Sequence, residues 1–118
     1  MKKKEFNCPA EMAISLIDGK WRAILIYNLR KGARRFGELK RLSPGITPTT
    51  LIKALRDLED SGLVKRIKTL DGSLPSVEYS LTDRGESLKP VLYALIRWGL
   101  ANQKDYATGE FGMAIFQK

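Results

Sequence analysis

Apolar residues recur along most of this chain at intervals of three and four, and one stretch alternates instead. The first spacing predicts helices and the second a strand pair. Met12, Leu16 and Ile17 give an apolar face to a helix in "CPAEMAISLID", with Pro9 at its first position and Glu11 at its positive end. Gly19 separates it from "KWRAILIYNLRKG", where Trp21, Ile24, Leu25 and Leu29 repeat the helical spacing and Arg30, Lys31 and Gly32 signal a stop. A short helix follows in "RRFGELKRLSPG". Phe36, Leu39 and Leu42 form its buried side, and Pro44-Gly45 end it. The next helix starts at Thr47-Pro48 and runs to Gly62. Residues 63–81 then read as a β-hairpin turning at Asp71-Gly72, with Val77, Tyr79 and Leu81 alternating against Ser76, Glu78 and Ser80. Pro75 belongs at an edge or a strand start. In the first strand, alternation places Ile67 inward with Lys65 beside it, and Arg66 and Lys68 outward. Thr82 or Asp83 caps a last long helix, about 83–104, whose stripe is Leu88, Val91, Leu92, Leu95 and Trp98 and which Pro90 bends.

The helix after Thr47 carries the functional question. Thr47 suits an N-cap and Pro48 the first helical position. Projected at 3.6 residues per turn, Leu51, Ala54, Leu55 and Leu58 share one arc. Thr49, Thr50, Lys53, Arg56 and Asp57 share the opposite one. Such an arc is ordinarily a solvated surface. Here the helix follows another short helix across a tight break, starts with short polar residues and leads into a basic hairpin. That combination predicts a helix-turn-helix whose second helix enters a DNA major groove, where hydroxyls and cations reach base edges and phosphates. The candidate DNA contacts are Arg34, Arg35, Thr47, Thr49, Thr50, Lys53, Arg56, Arg66 and Lys68. The fold class is α+β, mostly α: a winged helix-turn-helix with a two-stranded hairpin wing between flanking N- and C-terminal helices.

Totals agree with this reading. The 118 residues suit one domain: a basic arm at 1–7, the helix-turn-helix and wing at 33–81, the long helix at 83–104 and a tail at 105–118. Phe111, Met113, Ile115 and Phe116 make that tail too apolar for a plain disordered segment, so it packs on the domain or on a partner. A net charge of +8 favours a polyanionic partner. The absence of histidine, together with a single cysteine, argues against an enzyme, a metal site, a cofactor or a disulfide framework. "MKKKE" is followed by no long apolar run, and "AILIY" at 23–27 is far too short to span a bilayer. A cytoplasmic protein without a membrane partner is expected.

Three blocks then resemble a known family. "NCPAEMAISLIDGKWRAILIYNLRKGARRFGELKR", "PGITPTTLIKALRDLEDSGLVKR" and "VEYSLTDRGESLKPVLYALIRWG" look like successive parts of HxlR-type winged-helix transcriptional regulators, over about residues 7–99. The resemblance implies a homodimeric DNA-binding regulator with 48–60 in the major groove and 63–81 along the minor groove. It implies dimerisation through helices near 9–17 and 83–103, with Met12, Leu16, Leu88, Leu92, Leu95 and Trp98 at the seam unless the monomer's own core uses them. A dimer in turn predicts a pseudo-palindromic operator. The family wing often has Pro-Pro-Arg before Val-Glu-Tyr; here Leu74-Pro75-Ser76 lacks the arginine, and Lys68 is the substitute on the facing strand. Several family members sense electrophiles or oxidants through a cysteine at the Cys-Pro position, which is Cys8 here. A helix start and Lys2, Lys3 and Lys4 give it electropositive surroundings, as reactive thiols have. A structural thiol is the other reading. A small-molecule effector in the apolar seam, and a winged helix that binds protein rather than DNA, also stay open.

Overall fold

Leu25, Ile26, Leu29, Leu39, Leu51, Leu55, Leu58 and Leu63 are at most 1% exposed, and they mark where the chain closes on itself. A computed structural model describes residues 3–108. It contains α1 (Pro9–Ile17), α2 (Arg22–Asn28), β1 (Arg34–Arg35), α3 (Phe36–Arg41), α4 (Pro48–Asp60), β2 (Val64–Asp71), β3 (Leu74–Leu81), α5 (Asp83–Ser87) and α6 (Lys89–Tyr106). Helices α2, α3 and α4 surround the core, and the expected winged helix-turn-helix is present. Lys2 of the arm, and Phe111, Met113, Ile115 and Phe116 of the tail, lie outside the described residues.

Two polar devices hold the helix-turn-helix together. Asn28, only 1% exposed at the end of α2, donates from Nδ2 to the Leu42 carbonyl and to Ser43 Oγ, each at 3.1 Å. The turn between α3 and α4 is thus pinned from beneath. Asn28→Ala is expected to destabilise the fold by roughly 1–3 kcal/mol, because Leu42 and Ser43 keep their buried polar atoms and lose the donor. Urea denaturation measures this. At the other end of α4, Gly62 has a φ of 76°, a conformation glycine adopts without a Cβ penalty. Its N–H bonds to the Glu59 carbonyl at 2.9 Å, and the Leu63 N–H bonds to the Leu58 carbonyl at 3.0 Å. This is a Schellman ending, and its usual apolar contact is made by the fully buried Leu58 and Leu63.

The sheet has three strands rather than two, in the order β1-β3-β2. Arg34 and Arg35 pair antiparallel with Tyr79 and Glu78. Two residues are too few to show alternation, so the chain carries no sign of β1 before folding. Pro75 lies beyond the end of β1, where that side of β3 has no neighbour strand.

The faces of β2 are the reverse of those expected. Val64, 2% exposed, follows the Gly62 turn directly into the core. Alternation then turns Arg66 and Lys68 to the same side as Val77, Tyr79 and Leu81. Lys65 and Ile67 face outward, with Ile67 37% exposed opposite Glu78. The C-terminal helix is also divided. Pro90 is the second residue of α6 and cannot donate the hydrogen bond a continuous helix would need, so α5 and α6 meet at Leu88. Thr82 docks the pair: its N–H bonds to the Leu63 carbonyl at 3.1 Å and its hydroxyl donates to the Gly62 carbonyl at 2.6 Å.

Candidate nucleic-acid interface

The Thr47 hydroxyl caps α4 by accepting from the Thr50 N–H at 3.2 Å, and it donates to Thr50 Oγ1 at 2.9 Å. Both threonines remain exposed, as do Thr49, Lys53 and Arg56. The inner face is the expected one: Leu51, Ala54, Leu55 and Leu58 are all buried. Periodicity did not single out one further exposed residue on this surface. Ile52 is 41% exposed and lies about 40° from Arg56 on the helical projection. An aliphatic side chain there suits the methyl group of thymine. Its angle, outside the leucine arc, was the available signal.

The cations are unequally free. Arg56 enters no ion pair among the described residues. Lys53 Nζ lies 3.1 Å from Asp57 Oδ2, which also accepts from Arg22 Nη2 at 3.0 Å. Arg34 Nη1 is 3.5 Å from Glu38 Oε2. Arg35 is held more firmly, 3.1 Å from Asp71 at the wing tip and 3.9 Å from Glu78. Arg66 Nε lies 3.7 Å from Glu59 of α4, beside the half-buried Tyr79. Burial, reinforced by Glu59, pushes the Tyr79 phenol above its ordinary range. Lys68 is exposed on the inner side of the wing, and Lys65, expected inward, is exposed on the outer side. Thus Arg56 and Lys68 are exposed cations outside any ion pair among the described residues, Lys53, Arg34, Arg35 and Arg66 already face carboxylates, and Lys65 lies on the other face of the wing.

Two carboxylates in this region titrate low. The Arg35 backbone N–H, 3.0 Å away, holds Glu38 below its ordinary value against the opposing effect of burial, and Arg34 adds to it. For Asp57, burial raises the pKa, but the hydrogen bonds and charges of Lys53 and Arg22 together outweigh it and lower the net value. A carboxyl lowered in the folded state contributes stability above its unfolded value of 3.8, and that contribution disappears as pH falls through the folded value. Asp57→Asn is therefore expected to flatten the loss of stability between about pH 5 and pH 3. Denaturation midpoints across that range, compared with the unsubstituted protein, measure it.

Further exposed apolar side chains lie on α1 and α6. Met12 (46%), Leu95 (54%) and Trp98 (61%) are exposed, as are Ile14 and Val91. Trp98 stacks near Tyr106 with ring centroids 5.9 Å apart. Leu16, Leu88 and Leu92 are not part of this set: Leu92 is buried, and Leu16 and Leu88 pack against the core. The predicted seam residues therefore divide, because the inner half of the α6 stripe is needed to cover α2. Cys8 is exposed and is the N-cap of α1, its Sγ accepting from the Glu11 N–H at 3.4 Å. An open cleft of about 330 Å³ between α2 and α6 is lined by Tyr27, Arg30, Lys31, Tyr93, Ile96, Arg97 and Leu100.

Comparison with known proteins matches residues 16–107 to the HxlR-like helix-turn-helix family. The chain is 47% identical over 109 residues to the uncharacterized HTH-type transcriptional regulator YkvN of Bacillus subtilis, covering 92% of each protein. Among solved structures it is similar to the redox regulator HypR in its reduced form, with a TM-score of 0.76 and 40% identity over 81% of this chain and 94% of that one. It is also similar to the reduced transcriptional regulator YodB of B. subtilis, with a TM-score of 0.72 and 30% identity over 86% of this chain and 97% of that one.

Proposed function

Because this chain belongs to the HxlR-like helix-turn-helix family of transcriptional regulators, we propose that it reads a pseudo-palindromic operator as a homodimer, with α4 in the major groove and the β2–β3 wing along the adjacent backbone. The observation that carries this reading is the exposed arc of α4, where Thr49, Thr50, Lys53 and Arg56 stand outside while Leu51, Leu55 and Leu58 lock the opposite face into the core. Met12, Ile14, Val91, Leu95 and Trp98 support a dimer through α1 and α6, since so many exposed apolar side chains on two helices call for a partner. Arg34 and Arg35 brace the wing from β1, and their part in DNA contact is to approach phosphates as their carboxylate partners give way.

Redox response is the second part of the proposal. Cys8 is an exposed thiol on α1, one of the helices assigned to the dimer, and the similar HypR is described as a redox regulator. Oxidation by a hydroperoxide would join two Cys8 thiols across the dimer as a disulfide, with the peroxide reduced to an alcohol and water. The α2–α6 cleft supports a small-molecule effector as the alternative input.

Selection of bound sequences from random duplex DNA, under reducing and oxidising conditions, tests all of this. The expected pool is enriched in two inverted half-sites spaced by about one or two helical turns. A pool with no enrichment, together with no binding at low salt, would instead support a winged helix that binds protein. Identical pools and affinities in the two redox conditions would remove Cys8 from the mechanism.

A further inference from the structure

One carboxylate oxygen ties three elements together. Asp57 Oδ2 on α4 accepts from Lys53 Nζ at 3.1 Å and from Arg22 Nη2 at 3.0 Å. Arg22 Nη1 donates to the Ser15 carbonyl in the last turn of α1, at 3.1 Å. The two cations differ in freedom. The Arg22 side chain is 30% exposed and anchored at both ends of its guanidinium, so it stays when DNA arrives. The Lys53 side chain is 76% exposed on the arc that faces the groove. A carboxylate with only Lys53 for company would hold it back or, once Lys53 left, would present an uncompensated negative charge to the approaching phosphates. With Arg22 in place, Asp57 keeps a fixed counter-charge after Lys53 leaves.

We propose that Arg22 is a positioning residue for DNA binding: it neutralises Asp57 and so frees Lys53 to pass to a DNA phosphate, with the end of α1 holding Arg22 in place. The inference rests on the reading of α4 as the DNA-reading helix. Arg22 itself touches no DNA. It acts through Asp57, which lies thirty-five residues away along the chain.

Affinity for a selected operator duplex, measured against salt concentration, tests the idea in Arg22→Gln, Arg22→Lys, Asp57→Asn, the Arg22→Gln/Asp57→Asn pair and Lys53→Ala. Arg22→Gln is expected to weaken binding about fivefold and to lower the slope of log affinity against log salt by about 0.9, the value of a single phosphate interaction. Arg22→Lys should keep most of the wild-type affinity, because the charge beside Asp57 remains. Asp57→Asn should bind at least as well as wild type, and adding Arg22→Gln to it should change nothing further. A purely structural role would give the opposite pattern: an equal loss from Arg22→Gln with or without Asp57, and an unchanged slope. Either result overturns the inference. Should Arg22→Gln fail to fold, Arg22→Met keeps the aliphatic stem and serves in the same cycle. Weakened binding by Lys53→Ala with no effect of Arg22→Gln sinks this inference alone, whereas wild-type binding by Lys53→Ala sinks the reading of Lys53 beneath it as well.

Discussion

Gly85→Ala is expected to lower the thermal unfolding midpoint by about 10 °C or more, or to leave no folded protein at all. Helix propensity points the other way, since alanine in a helix is favoured over glycine by about 1 kcal/mol. Sterics decide the outcome. Gly85 is buried in α5, and a Cβ there would lie 2.1 Å from the Leu63 carbonyl oxygen and 3.2 Å from Leu81 Cδ2. The Leu63 oxygen cannot withdraw cheaply. It accepts the Thr82 N–H, and Leu63 itself completes the ending of α4. Moving α5 away instead would break the Thr82 hydroxyl bond to Gly62 and open the contact between the C-terminal helices and the core. Overpacking of this kind typically costs about 1–3 kcal/mol, and a clash with backbone belongs at the upper end or beyond. Circular dichroism melting measures the shift. A midpoint at or above the wild-type value would mean that α5 is not docked as described.

The Lys53→Ala/Arg56→Ala pair is expected to produce the largest loss of function. Each side chain sits on the exposed arc of α4, away from the leucine face, so folding should change little. Lys53→Ala leaves Asp57 still paired with Arg22, which keeps that carboxylate compensated. DNA affinity at fixed salt should fall by roughly 150-fold or more if each contributes at least about 1.5 kcal/mol, the lower end for a hydrogen bond to a charged group. The salt slope should fall by about 1.8 when both cations neutralise a phosphate, since each such neutralisation accounts for about 0.9. A smaller change in slope with the same loss of affinity would place one of the two on a base edge, where an arginine reads guanine. Fluorescence anisotropy with a labelled operator, titrated at several salt concentrations, separates these outcomes. Wild-type affinity in the double variant would remove α4 from the interface.

Most helices were legible because their signals are local. Pro9, Thr47-Pro48 and Thr82 each act within a single turn, and the leucine spacing of α4 needs only the helical repeat. Three features that the periodicity did not reveal have a different origin. Strand β1 exists only because Tyr79 and Glu78 come alongside Arg34 and Arg35. The faces of β2 depend on whether Leu63 or Val64 opens the strand, a choice made by the glycine ending of α4 and not by alternation itself. The stripe on α6 is a continuous band in sequence, yet α2 covers Leu92 and leaves Leu95 and Trp98 outside.

The sequence by itself determined the main helices and the hairpin, their order, the buried face of α4 and the basic character of a winged helix-turn-helix chain. Each of these follows from interactions between residues no more than about four apart, or from composition. Tertiary structure alone decided which cations are available. Arg35 meets Asp71, Arg66 meets Glu59, and Arg22 meets Asp57, while Arg56 has no such partner among the described residues. Arg35 and Glu78 are brought together by strand register, and Arg22 and Asp57 by helix packing over a long separation. Periodicity carries no record of such meetings, because a charge repeats along a helix in the same way whether or not a distant carboxylate will fold back onto it.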